Sequence, residues 1–275
     1  MGFWYLRRGD DPVRPNAVRL KAGPLQLDMP NEMIVSHYAT YFAEQYPLSL
    51  ISTGDTVLDL GAGYGDFSLL AALKVGPSGR VIAVEPDLRA FTFLTRNIRA
   101  NGISNVVPVH AAIWGDEPHP TLFRPEGSGS KLSDSGSVAV NVVTMEDLRT
   151  KATRIDVIKM DIEGAENSVF RSSLTAIAHT RSIFVEVHSP SIRVEISSLL
   201  DKAGFATFTW NMKSVVWTSA RNVFRHPLEF FEAEYKSGFY ALRAATRAFR
   251  GKNPVDSQSG LSLIIATRRI SQNET

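Results

Sequence analysis

The chain has no cysteine among its 275 residues. That excludes a disulfide framework, a thiol nucleophile, thiolate zinc and iron–sulfur clusters, and it suits a reducing compartment. No run approaches ~18 apolar residues, so no segment reads as a membrane span. The start, MGFWYLRRGDDP, lacks the apolar core of a signal peptide. Gly2 stands where a myristoyl group would attach, but Leu6 occupies the place that wants Ser or Thr. The expected address is cytoplasmic. Charge of one sign is lacking too. Thirty Lys and Arg face 28 Asp and Glu, for a formal net charge of +2, so composition makes no case for nucleic acid as a partner. What is there is globular: 44% hydrophobic and 21% charged residues exclude wholesale disorder and supply a core. The length fits one domain with an elaboration better than two full domains.

Residues 1–30 read as an irregular arm in which VRLKAGPLQLDMP (18–30) alternates like a short edge hairpin. Asn31 is placed to cap a helix through Tyr46, with Met33, Ile34, His37, Tyr38, Tyr41 and Phe42 on one face and Pro47 as its stop. From Asp55 apolar runs of strand length alternate with amphipathic helical stretches. The strands are TVLDLG (56–61), RVIAVE (80–85), NVVPVHAA (105–112), DVIKMD (156–161), SIFVEVH (182–188), FATFTW (205–210) and LSLIIATRR (261–269). The helices are 66–75, 87–100, 164–178 and 190–203. Continuous Val and Ile content marks strands covered on both faces. The expectation is an α/β fold: a doubly wound, Rossmann-like, seven-stranded sheet, mostly parallel with the last strand antiparallel. Residues 115–137, with GSGSKLSDSGS, read as a surface loop, and 138–145 as a short strand. An aromatic and basic helical insertion spans 217–258. Its plain reading is a packed cap; a homodimer contact and an interfacial helix are the alternatives, the last opposed by Glu229, Glu232 and Glu234.

The first strand runs into Asp59-Leu60-Gly61-Ala62-Gly63-Tyr64-Gly65-Asp66. A strand-to-helix turn with so little side chain lets a ligand touch the backbone. Counted from Gly61, the dinucleotide pattern G-x-G-x-x-G fails, because Asp66 stands at its third glycine. Counted from Asp59, D-x-G-x-G-x-G is complete. Glu85 ends the next strand about 20 residues on, where an acid accepts hydrogen bonds from ribose hydroxyls. Both features lie at the carboxyl ends of neighbouring strands, where open α/β sheets bind ligands.

The complete spacing resembles motif I of class I S-adenosylmethionine (SAM) methyltransferases. More specifically, 55–190 resembles the FkbM-type methyltransferase family. The resemblance is carried by Glu85-Pro86, Asn97 with Asn101, Thr144 with Asp147 and Leu148, K-x-D-x-E-G-x-E (Lys159, Asp161, Glu163, Gly164, Glu166), and the closing Glu186 and His188. One departure is Gly63-Tyr64, where the family often has Asn-Ile. The resemblance implies SAM as cofactor and methyl transfer, usually to oxygen, with polyketide-like metabolites or sugars as acceptors. The resemblance reaches neither the arm nor the insertion; the expected division is an arm with its helix over 1–50 and a methyltransferase domain over 51–275. The cofactor residues the resemblance implies are Asp59, Gly61, Ala62, Gly63, Gly65, Glu85, Pro86 and Asp161. Ala111 and Ala112, small residues at the end of the third strand, are candidates for stacking on adenine, with Trp114 and Asp116 closing that pocket.

Methyl transfer is an in-line displacement that needs an aligned acceptor and a place for its proton. Asp161 is the first candidate on the acceptor side, with Glu163 and His188 next for base or acceptor contact. The plain alternatives are a helix first turn that attracts acids and a His that caps the following helix. Glu166 fits that first-turn role best, and Lys159 reads as an internal partner for a carboxylate. Asp161, Glu163 and His188 suit Mg²⁺, Mn²⁺ or Zn²⁺, but no obligatory metal is expected. His37, Tyr38 and Tyr41 are candidates to face the acceptor. The rival readings are a nicotinamide oxidoreductase, a non-catalytic SAM-binding protein and an RNA methyltransferase.

Overall fold

The computed structural model describes residues 4–7, 17–30, 33, 40–41, 44–115, 122–124, 131–132, 136–210 and 262–268. The alternation read from Asp55 onward forms β4 (Thr56–Leu60), α1 (Asp66–Val75), β5 (Arg80–Val84), α2 (Leu88–Ala100) and β6 (Val106–Val109). After a linking region come β12 (Val157–Met160), α4 (Glu166–Ser172), β13 (Ser182–Val187), α5 (Pro190–Lys202), β14 (Phe205–Trp210) and β15 (Ser262–Arg268). Seven strands make one sheet in the order β14-β15-β13-β12-β4-β5-β6. β12 is parallel to both β13 and β4, and β4, β5 and β6 are mutually parallel. Only β15 runs the other way, antiparallel to β13 and β14. The chain winds outward from β4 to β6, then returns to β12 and winds the other way. The switch point therefore falls between β4 and β12, where this class of sheet opens a crevice.

Alternation along the strands sorts the core into two layers. Val57, Val81, Ala83, Val157 and Phe184 pack with Phe67 and Leu69 of α1, Leu94 of α2, and Leu25, Leu27 and Met29 of the arm. Leu58, Ile82, Ile158, Met160 and Val185 face the other side, with Val169 and Phe170 of α4 and Ile196 and Leu200 of α5. Helices thus cover both faces. A side chain such as Phe184, fully buried, adds about 1.5–3 kcal/mol over leaving it in water.

The expected hairpin is β2 (Ala17–Ala22) and β3 (Leu25–Pro30), with β1 (Trp4–Arg7) pairing on β2. The arm is therefore a three-stranded antiparallel sheet at its start, not an irregular segment. Asn97 and Asn101 of α2 hold it. Asn97 accepts from Asp28 N–H (2.8 Å) and donates to Asp28 C=O (2.9 Å), and Asn101 makes the same pair with Gln26. Of the helix expected over 31–46, Thr40 and Tyr41 are helical, but residues 44–46 are not, Glu44 having a φ of 48°, so the helix stops short of Pro47; most of the rest lies outside the described residues.

Three further expectations are corrected. The loop 115–137 contains β8 (Leu122–Arg124) and β9 (Lys131–Leu132), which join β10 (Val138–Ala139) in a small sheet. The strand expected over 138–145 is split. β11 (Val142–Val143) pairs with β7 (Ala112–Ile113), and Thr144 then starts α3 (Met145–Arg149) through a capping box with Asp147. That box, with Leu148 buried beneath it, is what the T-x-x-D-L pattern encodes. The helix expected over 164–178 ends at Ser172, and a 3₁₀ turn follows at Ala176–His179. The insertion at 217–258 lies outside the described residues. Among the described residues no helix is long and apolar enough to cross a membrane.

Candidate functional site

Register places the site. Asp59 is paired across the β4–β12 boundary with Lys159, and Lys159 with Phe184 of β13. Side chains two residues on, at Asp161 and Glu186, continue on that same face at the strand ends. The crevice at the switch point is therefore walled by charged residues on one side and by the glycine loop on the other.

The loop is tied down from below. Gly61 and Ala62 both donate to the Val84 carbonyl, at 3.0 and 2.9 Å. A Cβ on Gly61 would overlap the Asp161 carbonyl oxygen, so only glycine lets the two strand ends meet. Gly65, at the N-cap of α1, closes the turn. Asp59 is fully buried, with Oδ2 accepting from Ser68 Oγ and Oδ1 3.2 Å from Lys159 Nζ. Lys159 Nζ donates to the Gly61 carbonyl at 2.7 Å. Burial disfavours the lysine's charge, but Asp59 first, then Asp161 and Glu186, outweigh it and hold the ammonium above its ordinary pKa. Asp59 and Lys159 thus set the loop's shape from beneath.

Glu85 is the other carboxylate at the loop. Oε2 accepts from Gly63 N–H (2.7 Å) and Oε1 from Asp87 N–H (2.8 Å). Burial raises its pKa to about 7, against the pull of these two donors. Among the described residues nothing stands within 4 Å of the place a Cβ on Gly63 would take. The loop therefore offers bare backbone beside a carboxylate whose oxygens each keep a second lone pair. That arrangement fits a ligand carrying vicinal hydroxyls. Pro86 follows, its carbonyl 3.1 Å from His110 Nε2, and the His110 ring stacks on Phe91. Ala111 and Ala112 are buried, and Trp114 Nε1 is buried with no hydrogen-bond partner among the described residues. Asp116, His37 and Tyr38 lie outside the described residues.

The ends of β12 and β13 gather four carboxylates around one imidazole. His188 Nε2 lies 3.4 Å from Glu163 Oε2 and 3.8 Å from Asp161 Oδ1, while Nδ1 donates to Glu166 Oε1 at 3.3 Å. Burial opposes the imidazole's charge, but the Glu166 hydrogen bond, Glu163 and Asp161 together raise its pKa to about 9. Glu163 sits in the left-handed region (φ 50°), ahead of Gly164, a cost of about 1 kcal/mol or more for a residue with a Cβ. Glu186 accepts from Tyr46 Oη and Gln45 Nε2 through Oε1. Burial, then Asp161, raises its pKa to about 7.

The structure thus brings Asp161, Glu163 and His188 together, as the sequence suggested. Glu166 stands in the first turn of α4, as expected, and is also fully buried against His188. Tyr41 donates to the Asp66 carbonyl, so its hydroxyl engages the start of α1. Glu186 is marked in the sequence by its alternation with His188 at the end of β13; nothing in the sequence marks Gln45 and Tyr46. Among the described residues, Asp161, Glu186 and His188 offer ligand atoms all within 4.8 Å of one another.

Comparison with known proteins now bears on this geometry. A family model described as the methyltransferase FkbM domain matches residues 59–207. The chain belongs to this family. Its cofactor is S-adenosyl-L-methionine, and the open face above Gly63 and the Glu85 carboxylate fit that cofactor's backbone-contacting and hydroxyl-bearing parts. The hexuronic acid methyltransferase AglP of Haloferax volcanii is 26% identical over 162 residues, which is 56% of this chain and 64% of that one. Methyltransferase sdnD of Sordaria araneosa is 26% identical over 202 residues, 58% of this chain and 77% of that one. A probable cobalt-precorrin-6B C(15)-methyltransferase of Saccharolobus solfataricus matches over 68 residues at 40% identity, 25% of this chain and 33% of that one. The chain thus spans less than two thirds of the first and the last of these relatives. The crystal structure of M. jannaschii TYW2 in complex with AdoMet aligns with a TM-score of 0.46 and 13% identity, covering 94% of this chain and 88% of that one.

Proposed function

We propose that this FkbM-family methyltransferase methylates a hydroxyl oxygen of a small molecule or sugar. The observation that carries the reading is contact between the two halves of the crevice: the Asp161 carbonyl lies directly against Gly61, and the Asp161 side chain faces His188. The glycine loop and the Asp161–His188 cluster therefore border one crevice. SAM, when bound, supplies an electrophilic methyl group. Gly61, Ala62, Gly63 and Gly65 would hold it by backbone, Glu85 by its ribose hydroxyls with Pro86 beside them, and Ala111 and Ala112 would line its adenine. Asp59 acts through the loop, since its carboxylate is fully buried.

Asp161 stands at the join and meets both cofactor and acceptor in this reading. Glu163 and His188 orient the acceptor hydroxyl, and a carboxylate of this group takes its proton as the new O–C bond forms. The hexuronic acid methyltransferase supports a sugar as the acceptor class. The test is incubation with methyl-labelled SAM and a panel of hydroxylated sugars, uronates and polyketide-like alcohols, read by mass spectrometry. The expected product is a methyl ether with one equivalent of S-adenosylhomocysteine. Methylation at nitrogen or carbon only, across acceptors that carry both, would refute the oxygen assignment.

A further inference from the structure

We propose that Asp161, Glu186 and His188 bind a divalent cation at the acceptor end of the crevice, with Glu163 at its edge and Glu166 behind the imidazole. The inference rests on the reading of this end as the acceptor side, and it revises the expectation of no obligatory metal. Three observations on the molecule carry it. The ligand atoms of the three residues lie within 4.8 Å of one another. Neighbouring ligands on an octahedral ion stand about 3 Å apart and opposite ones about 4.2 Å, so a side-chain closure of about 1–2 Å gathers all three. The donor set of two carboxylates and one imidazole suits Mn²⁺ or Zn²⁺ better than Ca²⁺.

The second observation is Glu166. It is fully buried, one oxygen taking the His188 Nδ1–H and the other with no hydrogen-bond partner among the described residues. A desolvated carboxylate with an unanswered oxygen is costly unless a positive charge faces it. A cation on Nε2 provides that charge through the ring, and Glu166 in turn fixes the ring so that Nε2 faces Asp161 and Glu163. This carboxylate–imidazole relay is how metal-binding histidines are oriented.

The third observation is the charge balance. Asp161, Glu163, Glu166 and Glu186 converge on His188. Lys159 is committed to Asp59 and the Gly61 carbonyl. The side chains of Asp161, Glu163 and His188 remain 27–30% exposed, which leaves an entry path and open positions for an acceptor oxygen. A metal there would polarise that oxygen directly.

The experiment is titration of the full chain with Mn²⁺ alone, near neutral pH, with free Mn²⁺ followed by electron paramagnetic resonance. One tightly bound Mn²⁺ per chain is expected. Glu186→Gln and His188→Gln should each weaken it at least tenfold, and Glu166→Gln about tenfold through loss of ring orientation. S-adenosylhomocysteine binding by calorimetry, retained in each variant, shows that the variant has folded. Absence of Mn²⁺ uptake by the wild type would overturn the proposal and leave a protonated His188 as the countercharge. Uptake unchanged by all three substitutions would equally overturn it. Failure of the wild type to bind S-adenosylhomocysteine would strike the methyl-transfer reading instead, because Mn²⁺ uptake is measured without it.

Discussion

Replacing Lys159 by Met should be among the most damaging single changes outside the apolar core. The ammonium is buried, 3.2 Å from Asp59 Oδ1 and 2.7 Å from the Gly61 carbonyl. Removing it leaves Asp59, itself fully buried, as an uncompensated charge whose remaining partner is Ser68. Breaking a buried pair this way costs about 3–5 kcal/mol. For a chain of this size each kcal/mol lowers the melting temperature by roughly 2–4 °C, so a fall of roughly 6–20 °C is expected. Replacing both partners with apolar residues removes the orphaned charge, so Asp59→Leu with Lys159→Met should recover most of the lost stability. It should not recover the cofactor site, because the Gly61 carbonyl stays untethered. The assay is urea unfolding of both single variants and the double, alongside calorimetry with S-adenosylhomocysteine. A cost below about 1 kcal/mol for Lys159→Met, the range of exposed pairs, would refute the reasoning. So would a double variant that binds the ligand as well as wild type.

Three other outcomes follow from the same geometry. Glu85 has its pKa raised from 4.5 to about 7. The folded state therefore holds a proton that the unfolded state has lost, and stability falls as pH rises through that window, by up to about 3 kcal/mol. Glu85→Gln removes the effect. The variant should gain stability over wild type as pH climbs from about 4.5 to about 7, read by urea unfolding across pH, while binding the cofactor more weakly. Gly61→Ala and Gly63→Ala should separate. The first drives a methyl into the Asp161 carbonyl and should destabilise the fold by more than ~4 kcal/mol. The second meets open space, costs roughly 1–2 kcal/mol for its positive φ, and should lose S-adenosylhomocysteine binding while still melting cooperatively. Asn97→Ala strips three hydrogen bonds that join β3, α2 and the Tyr64 carbonyl. A loss of about 1–3 kcal/mol is expected, with faster hydrogen exchange confined first to β3.

The sheet was legible because its strands are buried on both faces and read as unbroken Val and Ile runs bounded by glycine turns. α1 was placed residue for residue, between the last loop glycine and Gly76. The linking region was not legible. Strands of two or three residues, such as β9 and β11, are too short to show a period, and they exist only because a neighbour supplies their hydrogen bonds. Asn97 and Asn101 were visible as a motif but not as a clasp, since their partners are backbone atoms of a strand about 70 residues earlier. In the site, Asp161, Glu163 and His188 could be found because they follow strands whose ends were already known. Glu166 was legible only in part: its place in a helix first turn is a local property, whereas its contact with His188 exists only in the tertiary structure. Lys159 illustrates the reverse. A lysine inside an apolar strand signalled a buried carboxylate, and register supplied Asp59.

The central claim is that the glycine loop and Glu85 hold a SAM-type cofactor. The most direct measurement is calorimetric titration of the wild type and of Glu85→Ala with S-adenosylhomocysteine, with NADH as the competing ligand. The account predicts micromolar binding to the wild type, weaker binding to the variant, and no heat from NADH. Heat from NADH with none from S-adenosylhomocysteine, or equal binding by the two proteins, would contradict it.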